Sequence, residues 1–316
     1  MRWIKWMGWV LVTGLTMSVF GAGMDVQFQN SPMKMTFSGE GSVVAEVTEV
    51  SVGTHVYNTI QSVQQNGDTY EVTFPDAKVL TISPVTNGVR VYFDPGYGVS
   101  DVTVSMNHLG GRFFGLRERN INGANPDITG LTMHVGMDDD GGGEKWNGVF
   151  SSFYMNSLGY GSFFDTFFDG TYKMGVNGEV ELSHKDCGLI DWYLFYGPTG
   201  DKIHEGYFSV IGHPKKVPIW ALGPSMWRNK NSSAVEILSD ADNYNELQVP
   251  VTHWWLDRPY SDGNNDWSKM NFAEKFSQPE SWIRQLYREG CAFSTWISPA
   301  LFDLEPDCPL QLDGRF

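Results

Sequence analysis

The chain has 316 residues, 22 Lys+Arg against 37 Asp+Glu, a net charge of −15 and 41% hydrophobic residues. With 19% charged and 14% aromatic residues it lies outside the low-hydrophobicity, high-charge pattern of disordered chains, and it is long enough for two packed cores. The negative surplus, unbroken by any Lys/Arg run, opposes phosphate backbones and anionic lipid surfaces, so no nucleic-acid partner is expected.

In chain order, Arg2 and Lys5 precede an apolar run from Gly8 to Phe20, followed by the small residues Gly21, Ala22 and Gly23. That is the pattern of an export signal. At thirteen residues the run is short of the roughly 20 needed to span a bilayer, so an anchor helix is the weaker alternative. Residues 1–23 are therefore expected to be removed, leaving a secreted or periplasmic chain with no membrane attachment. The three cysteines, Cys187, Cys291 and Cys308, are odd in number and widely spaced, which indicates neither a zinc site nor a disulfide scaffold.

Residues 24–216 alternate short β-branched or aromatic segments with turn signals. Segments 69–74, 78–83 and 89–93 have the period of strands, and Asn66-Gly67-Asp68, Asn87-Gly88 and Asn177-Gly178 favour two-residue hairpin turns. An antiparallel β-sandwich is the expected solution. The 35 glycines fit such a turn-rich chain.

After Pro214 to Pro218 the punctuation changes, and residues 217–316 alternate short apolar segments with helical ones. The pattern predicts strands at 219–226, 251–256 and 291–297. A helix at 232–247 carries Val235, Leu238, Ala241, Tyr244 and Leu247 on one face, and a second follows a capping box at Ser277 and Glu280 and stops at Gly290. A βαβαβ order demands a parallel sheet.

Serine-hydrolase elbows, phosphate loops, HExxH and GxGxxG signatures are missing. Asp138, Asp139, Asp140 and Glu144 invite a calcium reading, but an EF-type loop spaces its acids at alternate positions. A flexible acidic loop, or one leaning over a neighbouring site with Lys145, Trp146 and Asn147 at its tip, fits as well. The informative block runs from His253 to Tyr260 and sets Asp257 where the second parallel strand ends, the end that faces the site in βα barrels. A carboxylate there accepts hydrogen bonds from adjacent sugar hydroxyls, while indole faces stack on a pyranose. The alternative is that Asp257 caps a loop or helix. Trp296 holds the analogous place on the third strand, with core packing as its alternative.

Here the sequence resembles glycoside hydrolase family 31, the retaining α-glucosidases, α-xylosidases and relatives. The likeness runs from about Phe113 to the end. It rests on Phe114 to Arg119, Phe153 to Gly161, Tyr196 to Gly200 with Gly212 to Pro214, Pro218 to Gly223, Val249 to Asp257 and Thr295 to Pro299. The resemblance implies a multidomain β plus α/β chain: a galactose-mutarotase-like antiparallel β-sandwich, then the first strands and helices, about strands 1–3, of a truncated (β/α)8 TIM barrel. It implies that Asp257 binds hydroxyls of the −1 sugar and that Trp296 lines the same subsite, with an α-linked oligosaccharide or glycoside as partner and no cofactor or metal. Pro259 stands where many members carry a second acidic residue, so the substrate is expected to differ from ordinary maltose-type glucosides. The family's nucleophile and acid/base aspartates follow later barrel strands, beyond Phe316. No catalytic residue is therefore assigned, and the 316-residue chain is expected to be an inactive N-terminal fragment of a retaining glycosidase. The alternative is a non-catalytic carbohydrate-binding protein derived from the same family.

Overall fold

The computed structural model describes residues 15–18, 23–117, 126–136, 150–228, 230–257, 260–261 and 271–296. The acidic loop at 138–144, Pro259, Cys308 and most of the apolar run at 8–20 lie outside them. Two compact units succeed one another, residues 1–213 and 214–316.

The first unit is built of antiparallel strands closed by tight turns. Asn177 and Gly178, both at positive φ, form the two-residue turn between Gly170–Val176 and Glu179–His184, a geometry open to Asn and Gly at little cost. Gly67 turns Ser62–Asn66 into Thr69–Thr73, and Asn87 turns Val79–Val85 into Gly88–Phe93. Gly88 itself begins the strand rather than sharing the turn. Alternation then sets the faces: in Met24–Gln29, Met24, Val26 and Phe28 are buried while Gln27 and Gln29 are exposed.

Among the described residues these strands make two sheets. One runs Leu15–Ser18, Met24–Gln29, Lys34–Gly39, Ser42–Val52, Val102–Asn107, Glu179–His184, Gly170–Val176, Thr132–Val135, with His55–Tyr57 beside Ser42–Val52. The other runs Phe113–Arg117, Phe150–Asn156, Tyr160–Phe164, Ile190–Tyr196, Gly88–Phe93, Val79–Val85, Thr69–Thr73, Ser62–Asn66. Their inner faces share one core, in which Val26, Phe37, Val47 and Val104 of the first meet Tyr70, Leu80, Val91 and Trp192 of the second. Leu15–Ser18, inside the expected export signal, pairs with Met24–Gln29, whose outer backbone groups would otherwise lack a strand partner.

Tyr160–Phe164 is buried throughout because both its faces are covered. Tyr160 and Phe164 point into the shared core, while Phe163 lies in a second cluster with Phe195 and Ile203 under helix α1 (Gly200–Ile211). Glycines permit that close approach. A Cβ at Gly206 would come within 2.7 Å of the Phe195 ring and 2.8 Å of the Thr86 carbonyl.

The second unit is a parallel sheet of Ser225–Arg228, His253–Leu256 and Ala292–Thr295 in that order, with α2 (Ala234–Glu246) and α3 (Pro279–Arg288) between successive strands. The first strand differs from the expectation of 219–226. Residues Ile219–Leu222 form a 3-10 turn, and Pro224, which has no N–H to donate, separates it from the strand. The expected capping box before α3 is also absent. Pro279 opens the helix, Gln278 before it takes a left-handed conformation without a side-chain cap, and Glu280 pairs with Arg284. Helix α2 does begin at a cap, with Ser233 Oγ accepting from the Glu236 N–H. Its apolar face, with Ile237 and Ala241, packs with Trp282 and Leu286 of α3 against Trp254 and Leu256.

Candidate functional site

Because strand side chains alternate, the helices cover one face of the parallel sheet and leave the other a distinct chemistry. Trp254 and Leu256 are buried on the helix side. The opposite side carries a polar chain in which His253 Nδ1 meets Ser225 Oγ at 2.7 Å and His253 Nε2 meets Ser294 Oγ at 2.8 Å. Burial pulls the His253 pKa below its ordinary value.

Further along the strands the same side turns aromatic. Trp227 and Trp255, paired across the register, have ring centroids 6.0 Å apart, and Trp255 stacks on Trp296 at 5.4 Å and 14°. Asp257 directly follows the central strand and is 4% exposed, and its Oδ2 accepts the Trp227 Nε1–H bond at 2.8 Å. Trp296 follows the third strand. Its N–H donates to the Leu256 carbonyl at 2.8 Å, its carbonyl accepts from the Tyr260 hydroxyl at 2.6 Å, and its side chain is 40% exposed.

Asp257 and Trp296 thus lie at the C-terminal ends of adjacent parallel strands, linked through Trp227 and Trp255. Trp227 was missed because displacing the first strand by Pro224 moves its end from Met226 to Arg228; the dipeptide Trp227-Arg228 was the available signal. Arg228 pairs with Glu236 and, at 3.2 Å, with Asp240, leaving Trp227 as the side chain of that strand that reaches Asp257. Among the described residues no three His, Cys, Asp or Glu side chains converge as metal ligands. The arrangement offers a fixed, nearly buried carboxylate beside half-exposed indoles, able to accept hydroxyl donors and to stack on an apolar ring face.

A parallel βα sheet bearing a carboxylate and tryptophans at its C-terminal strand ends defines the class of α/β sites built at that end of a sheet, and known proteins show what the chain resembles. The sequence profile described as "Glycosyl hydrolases family 31 TIM-barrel domain" matches residues 214–311. The chain is 27% identical over 147 residues to an alpha-xylosidase of Saccharolobus solfataricus, covering 46% of this chain and 20% of that protein. To alpha-xylosidase XylQ of Lactiplantibacillus pentosus it is 24% identical over 201 residues, 62% of this chain and 26% of the relative. The Mus musculus lysosomal alpha-glucosidase matches at 26% over 119 residues, 38% and 12% of the two chains. Among solved structures, a GH31 sulfoquinovosidase from E. rectale aligns with TM-score 0.62 and 14% identity over 90% of this chain and 48% of its own. A GH31 dextranase of Flavobacterium johnsoniae complexed with glucose gives 0.54 and 19% over 90% and 38%. Residues 214–311 thus match the barrel-domain profile of glycoside hydrolase family 31, and the chain resembles members of that family. It spans between 12% and 26% of the length of these three curated relatives.

Proposed function

We propose that the chain is part of a retaining glycosidase acting on α-linked glycosides, with Asp257 and Trp296 forming its −1 sugar subsite. In this reading the first unit is a galactose-mutarotase-like sandwich and the second contributes the opening strands of a (β/α)8 barrel. The observation that carries it is the Asp257 carboxylate, fixed by Trp227 at the end of the central parallel strand where barrel sites form. The relatives' names, α-xylosidase and α-glucosidase, support the α-linked substrate class. Export, with removal of residues 1–23, belongs to the same proposal. The 316 residues are inactive by themselves in this account, because a retaining mechanism needs two carboxylates about 5–5.5 Å apart and the resemblance assigns both to later strands.

Titration calorimetry with xylose- and glucose-terminated α-linked oligosaccharides should give saturable binding that Trp296→Ala weakens. Release from p-nitrophenyl α-glucoside and α-xyloside should stay at the buffer blank. A chain that binds none of these sugars overturns the subsite, and turnover above the blank overturns the inactivity.

A further inference from the structure

The outer face of the first unit holds a cavity of about 430 Å³ beside the C-terminal half of α1, within the size range of small-molecule sites. Five of its lining residues are aromatic: Phe150, Phe163, Phe167, Phe168 and Tyr207. Tyr207 is held flat on Phe153 at 4.1 Å and 13°, and edge-on to Phe163 at 5.1 Å, so the inner wall is rigid. Among the described residues nothing covers the rim. Phe167 is fully exposed, and Phe168 and Phe150 are 50% and 38% exposed.

The polar groups of the lining are engaged, with one exception. Ser152 donates to the Phe164 carbonyl, Thr166 Oγ1 meets Cys187 Sγ, and both His184 nitrogens have partners. Among the described residues the Asp165 carboxylate takes no side-chain hydrogen bond, although burial and then the nearby Asp191 carboxylate raise its pKa. Arg90 opposes that rise, but its guanidinium is bound to Asp191 through Nε at 2.7 Å and Nη2 at 2.5 Å. A partly desolvated carboxylate with free acceptor sites, set among aromatic faces, calls for a ligand with an apolar surface and neutral O–H donors. A net charge of −15 disfavours a second copy against this rim.

We propose that this cavity is a carbohydrate-binding site of the first unit's own, in which the aromatic rim stacks on a neutral pyranose and Asp165 accepts hydrogen bonds from two of its hydroxyls. It goes beyond the Asp257 reading and stands on different residues. The test is calorimetric titration of the full chain with isomaltotriose and with a xyloglucan heptasaccharide, in the parent, Asp165→Asn, Phe167→Ala and Asp257→Ala. The expected result is saturable binding that survives Asp257→Ala and weakens about tenfold or more in Asp165→Asn and in Phe167→Ala, with melting temperatures unchanged. Asp165→Asn is isosteric and Phe167 is fully exposed, so both variants should fold. Parent-like affinity in both variants overturns the proposal, as does the absence of any binding in Asp257→Ala. A change of oligomeric state in Phe167→Ala with sugar affinity intact also overturns it, by making the rim an interface between copies. Loss of a separate binding event in Asp257→Ala bears on the other subsite alone.

Discussion

His184 shows how one buried side chain ties the first unit's stability to pH. It is 1% exposed, its Nδ1 lies 2.8 Å from the Phe168 carbonyl and its Nε2 lies 2.9 Å from the Tyr172 hydroxyl. A carbonyl only accepts, so Nδ1 carries the proton and Nε2 accepts from tyrosine, which is the neutral ring. Burial lowers its pKa, outweighing the bonds to backbone that oppose it. With the folded value below the unfolded one of about 6.5, the unfolded chain protonates first, and stability falls as pH drops from about 6.5 towards the folded value. Melting temperatures measured across that window should decline more steeply in the parent than in His184→Gln; parallel curves would show that His184 does not contribute. At the same scale Asp257 was legible because a carboxylate directly after an apolar strand stands out, whereas its partner Trp227 depends on where a neighbouring strand ends. That end is set by Pro224 and by the hydrogen bond from the Thr252 N–H to its carbonyl, a contact 28 residues away in sequence.

Helix α1 has a different lesson. The segment from Gly200 to Ile211 carries two glycines, and its buried residues are only Ile203 and Gly206. So small an inward face is explained by the sheet beneath it, which no local pattern announces, and the sequence reading placed no helix there. Alanine is the better helix former by about 1 kcal/mol, so propensity alone says Gly206→Ala stabilises. The fold says the reverse. The new Cβ would press on the Phe195 ring and the Thr86 carbonyl, and overpacking of this kind costs about 1–3 kcal/mol. A net loss on the order of 1 kcal/mol should lower the melting temperature by roughly 2–4 °C. An unchanged or higher value would mean that α1 lies further from the sheet. Hairpins, by contrast, were legible because Asn177 and Gly178 encode their conformation locally through positive φ.

For the whole molecule, the change from period-2 strands to alternating strands and helices separates two chemistries along the chain. The parallel order of the second unit could be read because an intervening helix leaves successive strands running the same way. The order of the two large sheets could not. Val102–Asn107 lies between Ser42–Val52 and Glu179–His184, and those pairings are chosen by burial across long separations rather than by any local signal. The central claim is that sugar hydroxyls meet Asp257 where Trp227 holds it, and the Trp227 indole N–H reports directly on that carboxylate. In ¹H–¹⁵N spectra of indole-labelled chain, with the signal assigned by its loss in Trp227→Phe, titration with methyl α-xyloside and methyl α-glucoside should shift the Trp227 resonance saturably. The account predicts that Asp257→Ala abolishes the sugar-dependent shift. A resonance that stays fixed while sugar binds, or a shift that persists in Asp257→Ala, would contradict it.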